Sequence, residues 1–244
     1  MRRPGRRPTR NAGSGPAFLP SKLSGLVLWL RADMGITIAG SGVSQWNDQS
    51  GTGDANKHNV QGTDANRPTY NTSDAGYNGK PTLQGTGTQF LTATGNWAVA
   101  PPRPATIFVV GNGEGGANNC VFFSDASVSQ YQFWESGLSN SPNTVAMSLN
   151  ATLFTPAITN TALKHIYAID LNGAATKIFQ DSLTAAVTGN AGTTGGLRVD
   201  ACGGSGSSFG GKQAEIIIYN TRLSATDFAS VMNYLASRYA VTLV

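Results

Sequence analysis

The sequence predicts an all-β protein, a two-sheet antiparallel sandwich followed by one C-terminal helix. Only 12% of its 244 residues are charged and 30 are glycine, whereas a helical bundle needs many Lys, Glu and Leu residues. Abundant Thr, Ser, Gly and Asn suit short strands joined by turns. Strand-like segments follow one another every 10 to 15 residues or so, with no helical pattern between them, which favours antiparallel over parallel pairing.

The strand signals begin at residue 26 and end at residue 220. They cover, in order, residues 26–33, 43–48, 82–93, 105–111, 119–125, 131–137, 144–150, 163–171, 176–182, 196–203 and 212–220. Residues 51–80 are rich in Gly, Asn, Asp and Thr and are predicted to form a long irregular surface loop. Loops of that length often carry function.

The C-terminal segment predicts a helix over residues 224–239, docked on the sandwich. Ser224 precedes Asp227 by three positions, the spacing at which a cap hydroxyl and an acidic side chain satisfy exposed backbone donors. The apolar residues that share one helical face are Phe228, Val231, Met232, Leu235 and Tyr239.

Residues 1–20 are predicted to form a flexible arm before the domain of residues 21–244, because Arg, Pro and Gly cannot bury enough apolar surface to repay ordering. Five of the 17 basic residues lie in this arm: Arg2, Arg3, Arg6, Arg7 and Arg10. Without them the basic residues are fewer than the 13 acidic ones, although the whole chain has a net charge of +4. We therefore expect the arm to contact an acidic partner surface, and we do not expect the domain to bind nucleic acid.

Neither a disulfide framework nor a membrane segment is predicted. Cys120 and Cys202 are too few for a framework and lack zinc-site spacing, so buried thiols are expected, with their pairing left open. The longest early apolar run, residues 26–30, is far below the roughly 20 residues of a membrane helix. No secretory signal is recognisable, so we expect a soluble protein made in a cytoplasm.

Four segments resemble bacterial and phage members of the concanavalin A-like, laminin-G-type jelly-roll superfamily. They are LVLWLRADMGI at 26–36, VSQWNDQSGTGDANK at 43–57, NGKPTLQGTGTQFLT at 78–92 and the closing block FGGKQAEIIIYNTRLSATDFASVMNYLASRYAV at 209–241. The resemblance implies a jelly-roll fold for most of residues 22–244. The superfamily includes sugar binders, adhesion modules, glycanases and virion appendages, so it does not choose a function.

No catalytic residue is assigned from the sequence. Glycanases on this fold place two or three carboxylates on alternate residues of a concave strand. Glu215 precedes three isoleucines, Glu114 lies in a glycine-rich turn, and Glu135 has no acidic neighbour in its strand. His58 and His165 lie in no nucleophile or metal motif. An enzyme would therefore need carboxylates brought together from distant strands.

Three side chains are candidates for glycan contact, because sugar recognition uses an exposed aromatic ring beside polar groups. In the segment YQFWES, Trp134 and Gln132 point to the opposite side of the strand from Phe133. Trp97 follows a glycine and precedes a proline-rich turn. The alternative for both tryptophans is a place in the core.

Asp48 and Asp54 are candidate calcium ligands. With Asn47 and Asn56 they could supply the hard oxygen atoms that calcium prefers, and related folds often bind calcium at a sheet rim. The alternative is that these side chains satisfy the backbone of their own loop.

Three function classes remain open, and we expect the first. It is a non-enzymatic virion structural protein, a phage capsid decoration or appendage, made in the host cytoplasm and displayed on the virion surface in oligomeric or lattice-bound copies. Its arm would hold it to capsid or tail proteins, and its lectin-like body would contact cell-surface glycans. The alternatives are an extracellular carbohydrate-binding adhesion module and a polysaccharide-active enzyme.

Overall fold

The computed structural model describes residues 18–97, 104–113, 120–124, 132–136, 144–148, 152–155, 163–192, 199–203 and 209–244. Its strands are β1 (Leu26–Arg31), β2 (Ile36–Ala39), β3 (Gly42–Trp46), β4 (Asn59–Val60), β5 (Thr69–Asp74), β6 (Lys80–Thr86), β7 (Thr92–Ala93), β8 (Ala105–Gly113), β9 (Cys120–Ser124), β10 (Gln132–Ser136), β11 (Thr144–Ser148), β12 (Thr152–Phe154), β13 (His165–Leu171), β14 (Thr176–Gln180), β15 (Val187–Gly189), β16 (Asp200–Ala201) and β17 (Gly210–Tyr219). One α-helix, α1 (Ala225–Tyr239), follows them in these residues. The prediction of a mostly β chain with a C-terminal helix is confirmed.

The described strands form three antiparallel sheets. The large sheet has eight strands, in the order β15-β14-β13-β8-β17-β6-β5 with β1 also paired to β17. A five-stranded sheet has the order β12-β11-β10-β9-β16, and a four-stranded sheet the order β2-β3-β4-β7. Strand β17 pairs with β8 along one edge, and with β6 and β1 in succession along the other. The last strand therefore lies at the centre of the large sheet.

Two apolar clusters cover opposite faces of the large sheet. In β17, Ile216 and Ile218 enter the cluster shared with the five-stranded sheet, while Ile217 enters the cluster beneath α1. The rings of Phe122 and Phe133, on the five-stranded sheet, lie 5.6 and 5.5 Å from that of Tyr167 on β13. A strand buried on both faces has a continuous apolar sequence, which explains the isoleucine run.

Helix α1 begins as the sequence predicts. The Ser224 hydroxyl accepts a hydrogen bond from the Asp227 amide at 3.1 Å and donates one to the Asp227 carboxylate at 2.8 Å. Val231, Met232 and Leu235 are buried against the large sheet. The helix is therefore held by its N-terminal cap and by one apolar face.

The predicted long loop is wrong in part. Residues 51–80 contain β4 and β5, and β5 pairs with β6 at the edge of the large sheet. Every residue of β5 is exposed or half-exposed. The strand therefore lacks the alternation of apolar and polar residues by which strands are recognised in a sequence. The predicted strand at 82–93 also divides between β6 and β7, which belong to different sheets.

The two cysteines are buried thiols and do not form a disulfide. Cys202 Sγ donates to the Gln213 side-chain oxygen at 3.2 Å, and Cys120 Sγ lies 3.7 Å from the Asn112 carbonyl oxygen. Burial raises the pKa of the Cys202 thiol well above its usual value. Within the described residues, no helix has the length and apolar character needed to cross a bilayer.

Candidate functional site

A polar cleft of about 500 Å³ opens beside the C-terminal end of α1. Side chains from β5, β8, β13 and β17 line it, together with the turn at residues 75–77 and the residues that follow the helix. In β8, Asn112 lies on the same face as Phe108 and Val110, because alternate residues of a strand point to one side. Phe108 and Val110 pack beneath the helix. The cleft is therefore on the helix-covered face of the large sheet.

One wall of the cleft is the ion pair between Asp74 and Lys212. Lys212 Nζ lies 3.0 Å from Asp74 Oδ2, and their side chains are 25% and 10% exposed. The Thr82 hydroxyl donates to the same oxygen at 3.2 Å, and the Gly76 amide donates to Oδ1 at 2.9 Å. These bonds fix the carboxylate, while the ammonium group keeps contact with solvent.

The floor is a buried tyrosine and amide. The Tyr77 hydroxyl donates to Asn112 Oδ1 at 2.6 Å, and Asn112 Nδ2 donates to the Gly113 carbonyl oxygen at 3.0 Å. The Tyr77 ring also lies edge-on to Tyr239, with centroids 6.3 Å apart. The end of the helix therefore holds the floor of the cleft in place.

The opposite wall includes Asp181, whose carboxylate contacts His165. His165 Nδ1 lies 2.5 Å from Asp181 Oδ2, and the Ile166 amide donates to Oδ1 at 2.7 Å. The Gln180 side-chain nitrogen also lies 3.2 Å from His165 Nδ1. The Val244 amide donates to the Asp181 carbonyl oxygen at 2.8 Å, which ties the chain end to this wall.

The rim of the cleft is partly apolar. Leu163 is 58% exposed, and Val241 lies beyond the end of the helix. Lys164 also lines the cleft. The arrangement is thus a fixed polar interior with an apolar edge.

The cleft brings two carboxylates together from distant strands, which the sequence analysis required of an enzyme. Asp74 ends β5 and Asp181 follows β14, and both line the cleft. Neither was a candidate, because Asp74 lay in the predicted loop of residues 51–80 and Asp181 lay within the predicted strand of residues 176–182. The sequence has no local pattern that would pair them.

Trp97 is not the exposed platform that the sequence suggested. Its side chain is 4% exposed and belongs to the main apolar cluster. Lys57 Nζ lies 5.3 Å from its ring centroid and donates to the Thr52 hydroxyl at 3.0 Å. The Lys57 ammonium group therefore lies over a face of the ring that a sugar would need.

The other glycan candidates are described only in their backbone. Trp134 and Gln132 pair with Ala146 and Ser148 in the register of β10 and β11, while their side chains lie outside the described residues. The five arginines of the arm also lie outside them. Glycan contact through Trp134 or Gln132, and partner contact through the arm, stay predictions.

Asp48 and Asp54 act as turn caps in the structure. Asp48 Oδ1 accepts from the amides of Trp29 and Ser50 at 2.8 and 3.0 Å, and Asp54 accepts from the Asn56 amide at 3.0 Å. The described residues contain no group of three His, Cys, Asp or Glu side chains that could hold a metal. Calcium binding at these residues stays a prediction.

Glu215 lies outside the cleft, in a buried network beneath α1. It is 1% exposed and accepts from Trp29 Nε1 at 2.6 Å and from the Tyr239 hydroxyl at 2.8 Å. Arg238 Nε lies 3.3 Å from its carboxylate, and Arg238 Nη2 lies 2.6 Å from Asp33 Oδ2. Burial raises the pKa of Glu215, although these partners favour its charged form. Glu215, to which the sequence analysis assigned no catalytic role, therefore has a structural role.

Solved structures of carbohydrate-active proteins share this fold. A GH54 α-L-arabinofuranosidase soaked with a cyclic sulfate inhibitor is 14% identical with a TM-score of 0.60, over 82% of this chain and 52% of that chain. A Trypanosoma rangeli sialidase in complex with the inhibitor DANA is 13% identical with a TM-score of 0.57, over 91% of this chain and 35% of that chain. The chain thus spans about half of the first and a third of the second.

A third match has the size of this domain. It is domain 4 of AbnA, a GH43 extracellular arabinanase from Geobacillus stearothermophilus, in complex with arabinotriose. It is 14% identical with a TM-score of 0.57, over 86% of this chain and 98% of that chain. No family model and no curated protein sequence matches the chain.

These matches correct the functional expectation. The expectation of a non-enzymatic virion structural protein is wrong, because the matched folds belong to an arabinofuranosidase, a sialidase and a domain of an arabinanase. At identities of 13 to 15% the likeness itself concerns the fold. The sequence favoured a virion through general features, among them the basic arm and the few titratable residues, and these features say nothing about the chemistry of the domain.

Proposed function

We propose that this chain is a carbohydrate-binding domain of the kind carried by carbohydrate-active enzymes. The observation that carries the proposal is the match to domain 4 of the arabinanase, which was solved with arabinotriose and corresponds to this domain over 98% of its length. The matches to the two larger enzymes support the same class of protein, because this chain corresponds to only part of each enzyme, as an accessory domain would.

We also propose that the large sheet and the five-stranded sheet form a lectin-type jelly roll. The support is the resemblance of the four sequence segments to that superfamily, together with the apolar cluster that the two sheets share. Such a sandwich offers rigid strands on which a small polar site can be held.

The test is the binding of the full chain to defined glycans by isothermal titration calorimetry. The probes are arabinotriose, xylotriose, cellotriose and 3′-sialyllactose, with glycerol as the control for non-specific polyol contact. We expect saturable binding of at least one oligosaccharide, with a Kd between about 1 µM and 1 mM, or about −8 to −4 kcal/mol. Failure of all four, and of a wider glycan array, would contradict the proposal.

Glycoside hydrolysis is the second candidate, and the shared cleft of Asp74 and Asp181 favours it. Glycosidases use two carboxyl groups that flank the scissile bond. The test is the release of reducing ends from the same oligosaccharides by the wild type, D74N and D181N. Hydrolysis that both variants lose would support this candidate, whereas binding without any release of reducing ends would exclude it for these substrates.

A further inference from the structure

We propose that the cleft beside the end of α1 is the sugar-binding site of this domain, and that it selects neutral over acidic oligosaccharides. This inference rests on the proposed function and adds to it a location and a ligand class. The cleft was absent from the sequence predictions, which placed glycan contact at Trp134, Gln132 and Trp97.

The size and the fixed walls of the cleft suit a short oligosaccharide. Its volume of about 500 Å³ is within the range of roughly 300 to 1,000 Å³ typical of small-molecule sites. The polar groups within it are held by their own hydrogen bonds: Asp74 by Gly76 and Thr82, and Asp181 by Ile166. A ligand would therefore meet polar groups that need little further ordering, which lowers the entropic cost of binding.

Donors and acceptors lie side by side along the cleft. The Asp74 carboxylate accepts and the Lys212 ammonium donates at one wall, 3.0 Å apart. Asp181, whose carboxylate also contacts His165, lines the other wall together with Lys164. A sugar hydroxyl both donates and accepts, so a donor next to an acceptor can bind one hydroxyl or two neighbouring ones. The exposed side chain of Leu163 would cover the apolar C–H groups of the ring.

The charges that line the cleft favour a neutral ligand. Two carboxylates, Asp74 and Asp181, stand with two ammonium groups, Lys164 and Lys212. Lys212 is already paired with Asp74. A sugar that carries a carboxylate would enter next to two fixed carboxylates, without the bidentate arginine that recognises such groups well.

The test compares matched pairs of variants in the titration with the best-binding neutral probe. L163E changes an exposed rim residue of the cleft, and L183E changes a leucine that is also exposed, at 49%, and does not line the cleft. K212M removes the ammonium donor but keeps the aliphatic stem, and K177M does the same on β14, outside the cleft. Thermal unfolding of each variant checks that the fold is retained.

We expect K212M to weaken binding about tenfold, since it removes a charged hydrogen-bond donor. L163E should weaken it by about fivefold through loss of the apolar edge, while L183E and K177M should bind within about twofold of the wild type. Normal binding by K212M and L163E would overturn the location while leaving the proposed function intact. Tighter binding of 3′-sialyllactose than of every neutral probe would overturn the ligand class, and no binding to any glycan would remove the function and the site together.

Discussion

Two ion-paired clusters lie on the same face of the large sheet and differ in how completely their central carboxylate is buried. In the buried network beneath α1, Arg238 and Glu215 are 14% and 0% exposed. In the cleft at the end of the same helix, Lys212 and Asp74 are 25% and 10% exposed. Both pairs join a carboxylate to a cation, but the carboxylate of the first is fully buried, whereas both members of the second are partly exposed.

The difference teaches that burial decides what an ion pair can do. A charge pair in a low-dielectric interior is costly to break, because the remaining partner has no water to replace the lost one. A pair that solvent reaches contributes little to stability and can be rearranged at small cost. The large sheet thus uses the same chemistry to hold its helix and to form the cleft.

The largest expected effect is on the buried network. E215A would leave Arg238 partly unpaired and would remove the acceptor of Trp29 Nε1 and of the Tyr239 hydroxyl. We expect a loss of about 3 to 5 kcal/mol in the free energy of unfolding, measured by urea denaturation. The control is D170A, at the exposed pair with Arg222, which should lose about 1 kcal/mol or less. Equal losses would contradict the comparison.

The pH dependence of stability separates Glu215 from Asp33 within the buried network. Burial raises the pKa of Glu215 above 4.5, so the folded state holds that proton more tightly than the unfolded chain. The contribution of Glu215 is therefore complete below pH 4.5 and is lost as the pH rises through the folded pKa. We expect the free energy of unfolding of the wild type to fall relative to that of E215Q as the pH rises from 4.5 through the folded pKa of Glu215. Urea denaturation at a series of pH values measures this difference.

Asp33 should have the opposite sign. Burial alone would raise its pKa, but Arg31 and Arg238 outweigh that effect and hold the pKa below 3.8. Its contribution is present above pH 3.8 and is lost as the pH falls through the lowered folded pKa. D33N should therefore remove the loss of stability at acidic pH, while the loss caused by Glu215 at higher pH should remain. A D33N stability curve that matches the wild type at every pH would contradict this role of Asp33.

A smaller effect is expected at the start of the helix, away from both clusters. S224A removes the hydroxyl that accepts from the Asp227 amide, which should cost about 1 kcal/mol of unfolding free energy. S230A, at a half-buried position of the same helix whose hydroxyl donates to the Thr226 carbonyl oxygen, should change it by less than about 0.5 kcal/mol. Differential scanning calorimetry of the two variants measures this difference, and a larger effect of S230A would rule out the cap as the main determinant.

The smallest stability effect is expected in the cleft. K212M should change the free energy of unfolding by less than about 1 kcal/mol, because Lys212 keeps contact with solvent. The same variant is expected to weaken glycan binding about tenfold, so stability and binding would change independently. A loss as large as that of E215A would show that the cleft pair is structural, like the buried network.

The sequence was most informative where a local pattern exists. The isoleucine run predicted β17, and the Ser224 and Asp227 spacing with the apolar face beyond it predicted α1. It was less informative at β5, where all the residues are half-exposed or exposed and the pairing with β6 defines the strand. The candidate ring of Trp97 was buried because Lys57 and the main apolar cluster cover it.

The sequence by itself determined that this chain is built of antiparallel strands with one capped helix, because these features depend on residues close together in the chain. Only the tertiary structure decided that Glu215 would be buried and that Asp74 and Asp181 would line one cleft. Residues from β5, β13 and β17 meet there because β17 is at the centre of the large sheet and α1 folds back over it. Contacts across such long separations leave no periodic signal in the sequence, since they depend on the order of the strands in the sheet.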